Sequence, residues 1–422
     1  MLDCCFFLDI FRFFANIARY LNESTMLKRK LYSAALLLSL LATACGDASQ
    51  KPSALPQIDM NADYPEKEIC LQDVADVSYI PLETTDDVLL DGGTTIEVLS
   101  SKGIVCVSDN KVYIFNSDGK LRSILDKKGE GPGEYHYLSY TDVDWERKEI
   151  YVHNESHKTV FVYSLDGRFK HQYDVDVRIR QKDMLNDRQG HLIFYREYAG
   201  AVRKGQIEPY RPVVRMSLED GMVDSLSWQN QYHINKEVRA RLGDRNVTMV
   251  FPMSALTRLD DEVYVSEVGS DTIYHLRGDR LEPFFARTPS VQDEDCKYLL
   301  YLQGITPRHY LLRLQAKVVG DSYTVGDMVY YDDVETKSVM YEQDTGDICL
   351  PKFSNKDYQA VDDALGELLF NGCDANTAYL KLEAHRLIEA LEAGELSGEL
   401  KTIAEGLKED DNPVLMVVKF KE

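Results

Sequence analysis

The sequence predicts an all-β chain, a six-bladed β-propeller with a small helical insertion in its last blade. Three observations carry this. From residue 69 onward, short runs of alternating apolar and polar residues are broken by turn signals, which is the pattern of half-buried strands. A three-strand unit recurs five times, and each copy ends on a turn whose glycine is Gly119, Gly167, Gly221, Gly278 or Gly346. These glycines stand 48, 54, 57 and 68 residues apart, close to the length of a four-stranded blade. Lastly, the strong C-terminal strand "NPVLMVVKF" (412–420) can share a blade with "VADVSYIPLE" (74–83) near the other end of the chain. Closing the ring in that way removes an open sheet edge.

The elements follow in chain order. Residues 26–45, "MLKRKLYSAALLLSLLATAC", read as an export signal: Lys28, Arg29 and Lys30 are the charged start, and Leu31 to Leu41 the apolar core. About eleven apolar residues are too few to span a bilayer, which takes roughly 20. The segment "LLATAC" resembles the lipobox of bacterial lipoproteins, although Ala42 stands where leucine is usual and Leu41 lies one place early. That resemblance implies lipid on Cys45, which becomes the mature N-terminus, and anchorage in the cell envelope, at the outer membrane. A signal of this kind belongs at a chain start, so Met26 is the expected initiator and residues 1–25 a misassigned upstream start; a genuine amphipathic extension is the alternative. Residues 46–68, polar and with three prolines, are expected to be a flexible tether.

The propeller is then expected over 69–422. Its first blade is "GTTIEVLSS" (93–101) followed by "GIVCVSDNKVYIFNSDGKLRSIL" (103–125). The second is "YLSYTDVDW" (137–145) followed by 149–175, and the third centres on 191–228. The fourth is "MSALTRLD" (253–260) with 262–285, and the fifth is placed at "MVYYDDVETKSVMYEQDTGDICL" (328–350). The sixth takes two strands from 358–372, then 412–420 and 74–83. Residues 380–411 have helical spacing, with Leu382, Leu387, Ile388 and Leu391 on one face, broken at Gly394 and Gly398. They read as two short helices inserted in the last blade, either capping its side or offering a docking surface.

The stretch "KKGEGPGEY" (127–135) is glycine-rich, but no Lys-Ser or Lys-Thr follows its glycines and no helix follows it, so it is neither a phosphate loop nor a dinucleotide fingerprint. Gly131, Pro132, Gly133 and Glu134 suit a type II turn between the first two blades, with Tyr135 filling the seam. This segment resembles the blade linker of NHL-type propellers. Together with "YIPLETTDD" (79–87) and the closing "LKEDDNPVLMVVKF", it resembles the six-bladed propeller lipoproteins of Bacteroidetes. The resemblance spans 69–422 and implies the fold; that family has no common activity to carry over.

The net charge of −22 excludes a nucleic-acid partner, which needs clustered Lys and Arg. Twenty-six tyrosines against two tryptophans suit a β-rich chain, and also one that handles sugars. Past residue 44 the cysteines are Cys45, Cys70, Cys106, Cys296, Cys349 and Cys373, with no CxxC or Cys/His spacing for zinc. In a propeller, the blade linkers and the loops between second and third strands open on one face. That face gathers Glu134, His136, Asn154, Glu155 and His157 from the second blade, Arg196, Glu197, Arg203 and Lys204 from the third, Glu267 and Asp271 from the fourth, and Asp332, Asp333 and Glu335 from the fifth. Asp142 and Asp144 alternate on an inner strand, where they line the channel or start the turn that follows. Two functions fit. One is a non-enzymatic binding or scaffold lipoprotein with no cofactor, whose ligand is a protein or a carbohydrate. The other is an NHL-like hydrolase or lyase acting on a sugar-derived substrate, with a divalent cation held in the channel by carboxylates. No nucleophile–His–Asp set is legible, so no catalytic residue is assigned.

Overall fold

The structure, a computed structural model, describes residues 55–154, 158–175, 179–196, 206–228, 230–232, 237–242, 245–250, 254–293, 295–317, 322–325, 328–331, 335–358 and 365–422. Six sheets form a ring, the predicted six-bladed propeller. The first blade runs Thr95–Ser100, Gly103–Ser108, Lys111–Phe115 and Leu121–Leu125 from axis to rim. The second is Tyr140–Asp144, Glu149–Asn154, Thr159–Ser164 and Phe169–Asp174. The third is Ile179–Asn186, His191–Arg196, Val213–Ser217 and Val223–Ser225. The fourth is Leu256–Leu259, Glu262–Val265, Thr272–Arg277 and Arg280–Thr288. All five turn glycines have left-handed φ, between 60° and 83°. The two-residue hairpin after Ser108 places Asp109 and Asn110 at φ 46° and 60°, which its mirror-image turn demands.

The blades bury both faces, so the core is a series of seams rather than one centre. Val105, Ile114, Ile150 and Tyr163 fill the seam between the first and second blades. Tyr140, Tyr151, Val160 and Phe194 fill the next. The last seam, sixth blade to first, holds Ile96, Ile104, Tyr379 and Leu415, and the Tyr379 hydroxyl donates to the Ile96 carbonyl at 3.0 Å. The ring is closed by strand pairing: Ala75–Pro81 lies antiparallel to Val414–Phe420, in register from Ala75 opposite Phe420 to Pro81 opposite Val414. Asn412 ties down the chain beyond that strand. Its amide donates to the Glu83 and Val88 carbonyls at 2.8 Å, and its oxygen accepts from the Leu90 N–H at 2.8 Å.

Four expectations are corrected. The tether expected over 46–68 includes residues built into the fold, because Gln57–Asp59 adds in parallel to the rim of the fourth blade and Glu66–Cys70 to the rim of the fifth. Such edge strands need only backbone groups and a few apolar anchors, here Ile58 and Met60, both buried, so their polar composition hid them. The fifth blade takes its first strands from Tyr298–Ile305 and His309–Ala316, then Thr336–Glu342 and Ile348–Ser354. Met328–Tyr331 instead pairs with Ser322–Val325 in a separate hairpin, whose insertion stretches the last glycine spacing to 68. In the sixth blade, the described residues of 358–372 form no strand: Leu365–Glu367 is a helical turn, Tyr358 bridges to Leu396 and Leu369 to Tyr379, while 359–364 lie outside the described residues. Finally, residues 380–382 belong to the strand Thr377–Leu382, so the insertion reduces to the helices Ala384–Glu392 and Gly398–Ala404. Their Leu387, Ala390, Leu400 and Ala404 join the core shared by the fourth, fifth and sixth blades, which is a capping role.

The parallel rim strands generate a prediction. Truncation through Ala54 should leave the melting temperature unchanged, whereas Ile58→Ala should cost about 2–5 kcal/mol in a denaturant melt. An Ile58→Ala protein as stable as wild type would mean that the rim strand is not part of the folding unit.

Candidate functional site

The axis of the ring is not an open channel. The segment Phe370–Asp374 crosses it, hydrogen-bonded on both sides. Toward the first blade, the Leu99 N–H donates to the Gly372 carbonyl and the Asp374 N–H to the Leu99 carbonyl, both at 3.1 Å. Toward the fourth blade, the Gly372 N–H donates to the Arg258 carbonyl at 3.1 Å and the Asp260 N–H to the Cys373 carbonyl at 3.2 Å. The first and fourth blades face each other across a six-bladed ring, so this segment bars the axis. Only glycine fits at its middle: Gly372 has φ +77°, and a Cβ there would meet the Glu97 carbonyl oxygen at 2.1 Å.

A buried ion network lies beside the bar. Asp142, on the inner strand of the second blade, bonds the Arg258 guanidinium of the fourth and accepts from the Asn186 N–H of the third at 2.7 Å. Arg188 stands 3.7 Å away on the other carboxylate oxygen and donates to the Val143 carbonyl. Burial alone would raise the Asp142 carboxyl, but Arg258 and Arg188 outweigh it and hold the group below the usual carboxylate range. The Arg258 N–H also donates to Asn371 Oδ1 at 2.9 Å, which joins network and bar. Asp144 starts the turn that follows its strand and does not line an open channel. It accepts from the Asn186 amide at 3.1 Å and, at 2.9 Å, from the N–H groups of Glu146 and Arg147 in the following turn.

Bar and network form the floor of a blind funnel. Directly above is a throat of about 30 Å³ that includes Glu97, Tyr140, Thr141 and Leu256. Those first three residues also line a wider cleft of about 360 Å³ between the first and second blades, with Thr95, Asp109 and Tyr137 at its mouth. On the other side of the bar a separate hollow of about 100 Å³ holds Asp260 and Asp374.

The residues singled out from the sequence scatter around this funnel. Gly133 has φ +73°, and the Glu134 N–H donates to the Gly131 carbonyl at 3.0 Å across Pro132, which closes a turn. Glu134 folds back on its own loop, where its carboxylate accepts from the Gly131 N–H at 2.9 Å. Tyr135 is fully buried in the seam, and its hydroxyl donates to the Asn110 carbonyl at 2.7 Å. His136 is exposed on the same loop. Arg196 donates to the Arg211 carbonyl at 3.0 Å. Asp271 is committed to Ser290 and the Val291 N–H, both at 2.6 Å, and Glu335 pairs with Lys337 at 3.0 Å. Asn154 is fully buried, and neither side-chain atom has a partner. Glu155, His157, Glu197, Arg203, Lys204, Asp332 and Asp333 lie outside the described residues.

Glu267 is buried, bonded by the Tyr195 hydroxyl and by the Gly269 N–H at 3.2 Å. Burial pushes its carboxyl up to about 7. His153, stacked on Tyr140 with 5.9 Å between ring centroids, is pushed down to about 4 by burial. Among the described residues no group of three or more His, Cys, Asp or Glu side chains is placed to hold a metal ion, and the five cysteines are free thiols. The residues that build the funnel, Glu97, Tyr137, Tyr140, Arg258 and Asn371, were not singled out from the sequence. Their signal is faint: a polar residue at the start of an inner strand looks like any exposed strand position.

The sequence profile of a family described as a domain of unknown function (DUF4934) matches residues 55–419. A candidate exported protein of Bacteroides fragilis, solved by crystallography, is similar at 14% identity and a TM-score of 0.59, covering 87% of this chain and all of its own. A Bacteroides vulgatus structure of the DUF4221 family is 10% identical with a TM-score of 0.46, covering 83% of this chain and 98% of its own. No curated protein matches. At these identities the likeness concerns the fold alone.

The two shifted groups set opposite pH limbs. His153 is neutral in the fold down to about pH 4, while the unfolded imidazole charges near 6.5, so its share of stability falls as pH drops from about 6.5 to 4. Glu267 is protonated in the fold up to about pH 7, while the unfolded carboxyl ionises near 4.3, so stability falls as pH rises through that window. Glu267→Gln should flatten the second limb of a stability–pH profile and leave the first. An unchanged profile would contradict the burial of this carboxyl.

Proposed function

The chain belongs to the DUF4934 family, and from that premise we propose that it is an exported, lipid-anchored propeller that binds a ligand in its blind funnel and performs no catalysis. The observation that carries the binding reading is the barred axis. A propeller whose axis is barred presents a blind, concave surface on the face where its loops gather, the usual place for recognition. The floor groups supply no reactive centre, because Asp142 and Arg258 already satisfy one another. Export is supported by the charged start, short apolar core and Cys45 of the N-terminal segment, and by likeness to a candidate exported protein. Lipid on Cys45 would anchor the mature chain at the envelope, at the outer membrane, with a protein or a carbohydrate as ligand. Glu267 favours a second reading, a hydrolase or lyase on a sugar-derived substrate. A carboxyl held near neutrality can donate and accept protons, which is what a general acid–base needs.

Mass spectrometry of the mature N-terminus should find Cys45 acylated, and Cys45→Ser should move the chain out of the membrane fraction. Cleavage elsewhere, or a free Cys45, would overturn the anchor. For binding, Gly93→Trp fills the funnel mouth with little strain, since a Cβ there meets nothing nearer than Asp91 at 3.4 Å. Fractions of envelope extract that raise the melting temperature of wild type should leave this variant unmoved. An equal shift in both proteins would put the ligand outside the funnel.

A further inference from the structure

The chemistry of the cleft between the first and second blades narrows the ligand class. Its walls carry carboxylates already engaged by hydroxyl groups. Asp91 accepts from the Ser108 hydroxyl at 3.1 Å and the Thr94 hydroxyl at 3.4 Å, and Glu97 accepts from the Thr95 hydroxyl at 2.5 Å. An ionised carboxylate offers about four acceptor sites, so each can take further hydroxyl donors in the same geometry. Among the described residues, no Lys, Arg or His lines the cleft. The nearby ammonium of Lys381 is committed to the carbonyls of Gly92 and Thr94, at 3.1 and 3.2 Å, and to Glu383 at 3.0 Å. An anionic ligand would therefore meet Asp91, Glu97 and Asp109 on these walls. A purely apolar ligand fares no better, because it would cover these carboxylates without pairing them.

Two further features favour a polyol with one apolar face. Tyr137 stands at the lip with 57% of its surface exposed, a flat ring on which the C–H face of a pyranose can lie. Asn154 adds an independent sign. Register places it opposite Ser139, since Tyr140 pairs with His153 and the Ser139 N–H donates to the His153 carbonyl at 3.0 Å. Residues opposite one another share a sheet face, and so do residues two apart along a strand. Asn154 therefore shares a face with Ser139 and Thr141, which form the cleft's second-blade wall. Its amide is fully buried with neither atom paired, a costly state on the blade face that the cleft adjoins. At about 360 Å³ the cleft is at the small end of ligand pockets and suits one or two sugar rings.

We propose that this cleft binds a neutral carbohydrate, its hydroxyls held by Asp91, Glu97 and the wall of Ser139 and Thr141, its apolar face stacked on Tyr137. The inference rests on the reading of the funnel as the binding surface and names the ligand class for it.

The test is an array of immobilised neutral glycans probed with the full chain, followed by calorimetry with any glycan that scores, and with agmatine as a cationic control. The expected result is binding of a neutral glycan that weakens at least tenfold in Tyr137→Ala and stays within about twofold in Tyr137→Phe. Both variants should melt with wild type, since the side chain is exposed. Binding of agmatine without any neutral glycan, lost in Glu97→Gln, would overturn the carbohydrate class while keeping the funnel as the site. A glycan bound equally by wild type, Tyr137→Ala and Gly93→Trp would overturn the cleft. Binding of neither probe would overturn the inference, and the extract experiment with Gly93→Trp would still judge the funnel separately.

Discussion

A propeller blade has two apolar faces and cannot cover either by itself, so every seam in this protein depends on the ring being closed. The closing contact is the pairing of Ala75–Pro81 with Val414–Phe420, residues more than 300 positions apart in the chain. Bringing them together costs loop-closure entropy that grows only slowly with length. Seven paired residues and the seam of Ile96, Tyr379 and Leu415 offset it. Without that pairing, Val414–Phe420 would be a long apolar edge strand, the kind that invites association between chains. The N-terminal segment extends the same solution. Before reaching the sixth blade it lays one strand on the rim of the fourth and one on the rim of the fifth, so about 25 residues bind three consecutive blades.

Closing a ring creates a second problem at its axis. Six inner strands meet there around a central channel, and their axial backbone groups face it. The segment Phe370–Asp374 answers this by hydrogen-bonding to the inner strands of two opposed blades, as a strand would. It needs glycine at position 372, because the Glu97 carbonyl occupies the place of a side chain. Asp142, Arg258, Arg188 and Asn186 satisfy the polar groups beside it. Removing one partner of such a buried pair leaves an uncompensated charge, which costs more than the pair contributes. The floor is thus fixed by mutual satisfaction, and chemistry is left to the residues above it.

The parts of this arrangement that were legible in the sequence are those with a local signal. Gly119, Gly167, Gly221, Gly278 and Gly346 mark turns because only a residue free of Cβ strain sits easily at their φ, and five blades followed from them, the sixth from the terminal strands. The Gly131–Tyr135 stretch was readable for the same reason. What stayed hidden had no local signal. Gln57–Asp59 has one apolar residue and reads as linker, since its place is set by the free edge of Arg280–Thr288. Met328–Tyr331 alternates as well as any blade strand, and only tertiary pairing assigns it to an inserted hairpin. Phe370–Asp374 crosses the axis on backbone hydrogen bonds, which composition does not record. The site suffered most. Loop position suggested Glu134, whose side chain is taken up by its own loop, and Asp271, which is taken up by Ser290 and Val291, while Glu97 and Tyr140 owe their place in the funnel to the inner-strand register.

The division between a rigid floor and a loop-built mouth bears on how such a fold can change ligand without changing shape. The seams and the bar are set by pairing and packing that reach every blade, so a substitution there is felt around the ring. The mouth is different. Tyr137, Asp109 and Gly93 lie on connections whose ends are held by the blades but whose side chains touch few core groups. Substitutions at Tyr137 and Gly93 change the walls of the cleft at little expense to stability, whereas Asp109 is held to its turn by a φ of 46°. Asn154 lies between the two regimes, in the register of a central strand yet with an amide left unpaired. A buried amide without a partner costs desolvation with no bond to offset it, so Asn154 is a point where the scaffold beneath the mouth carries an unmet polar demand.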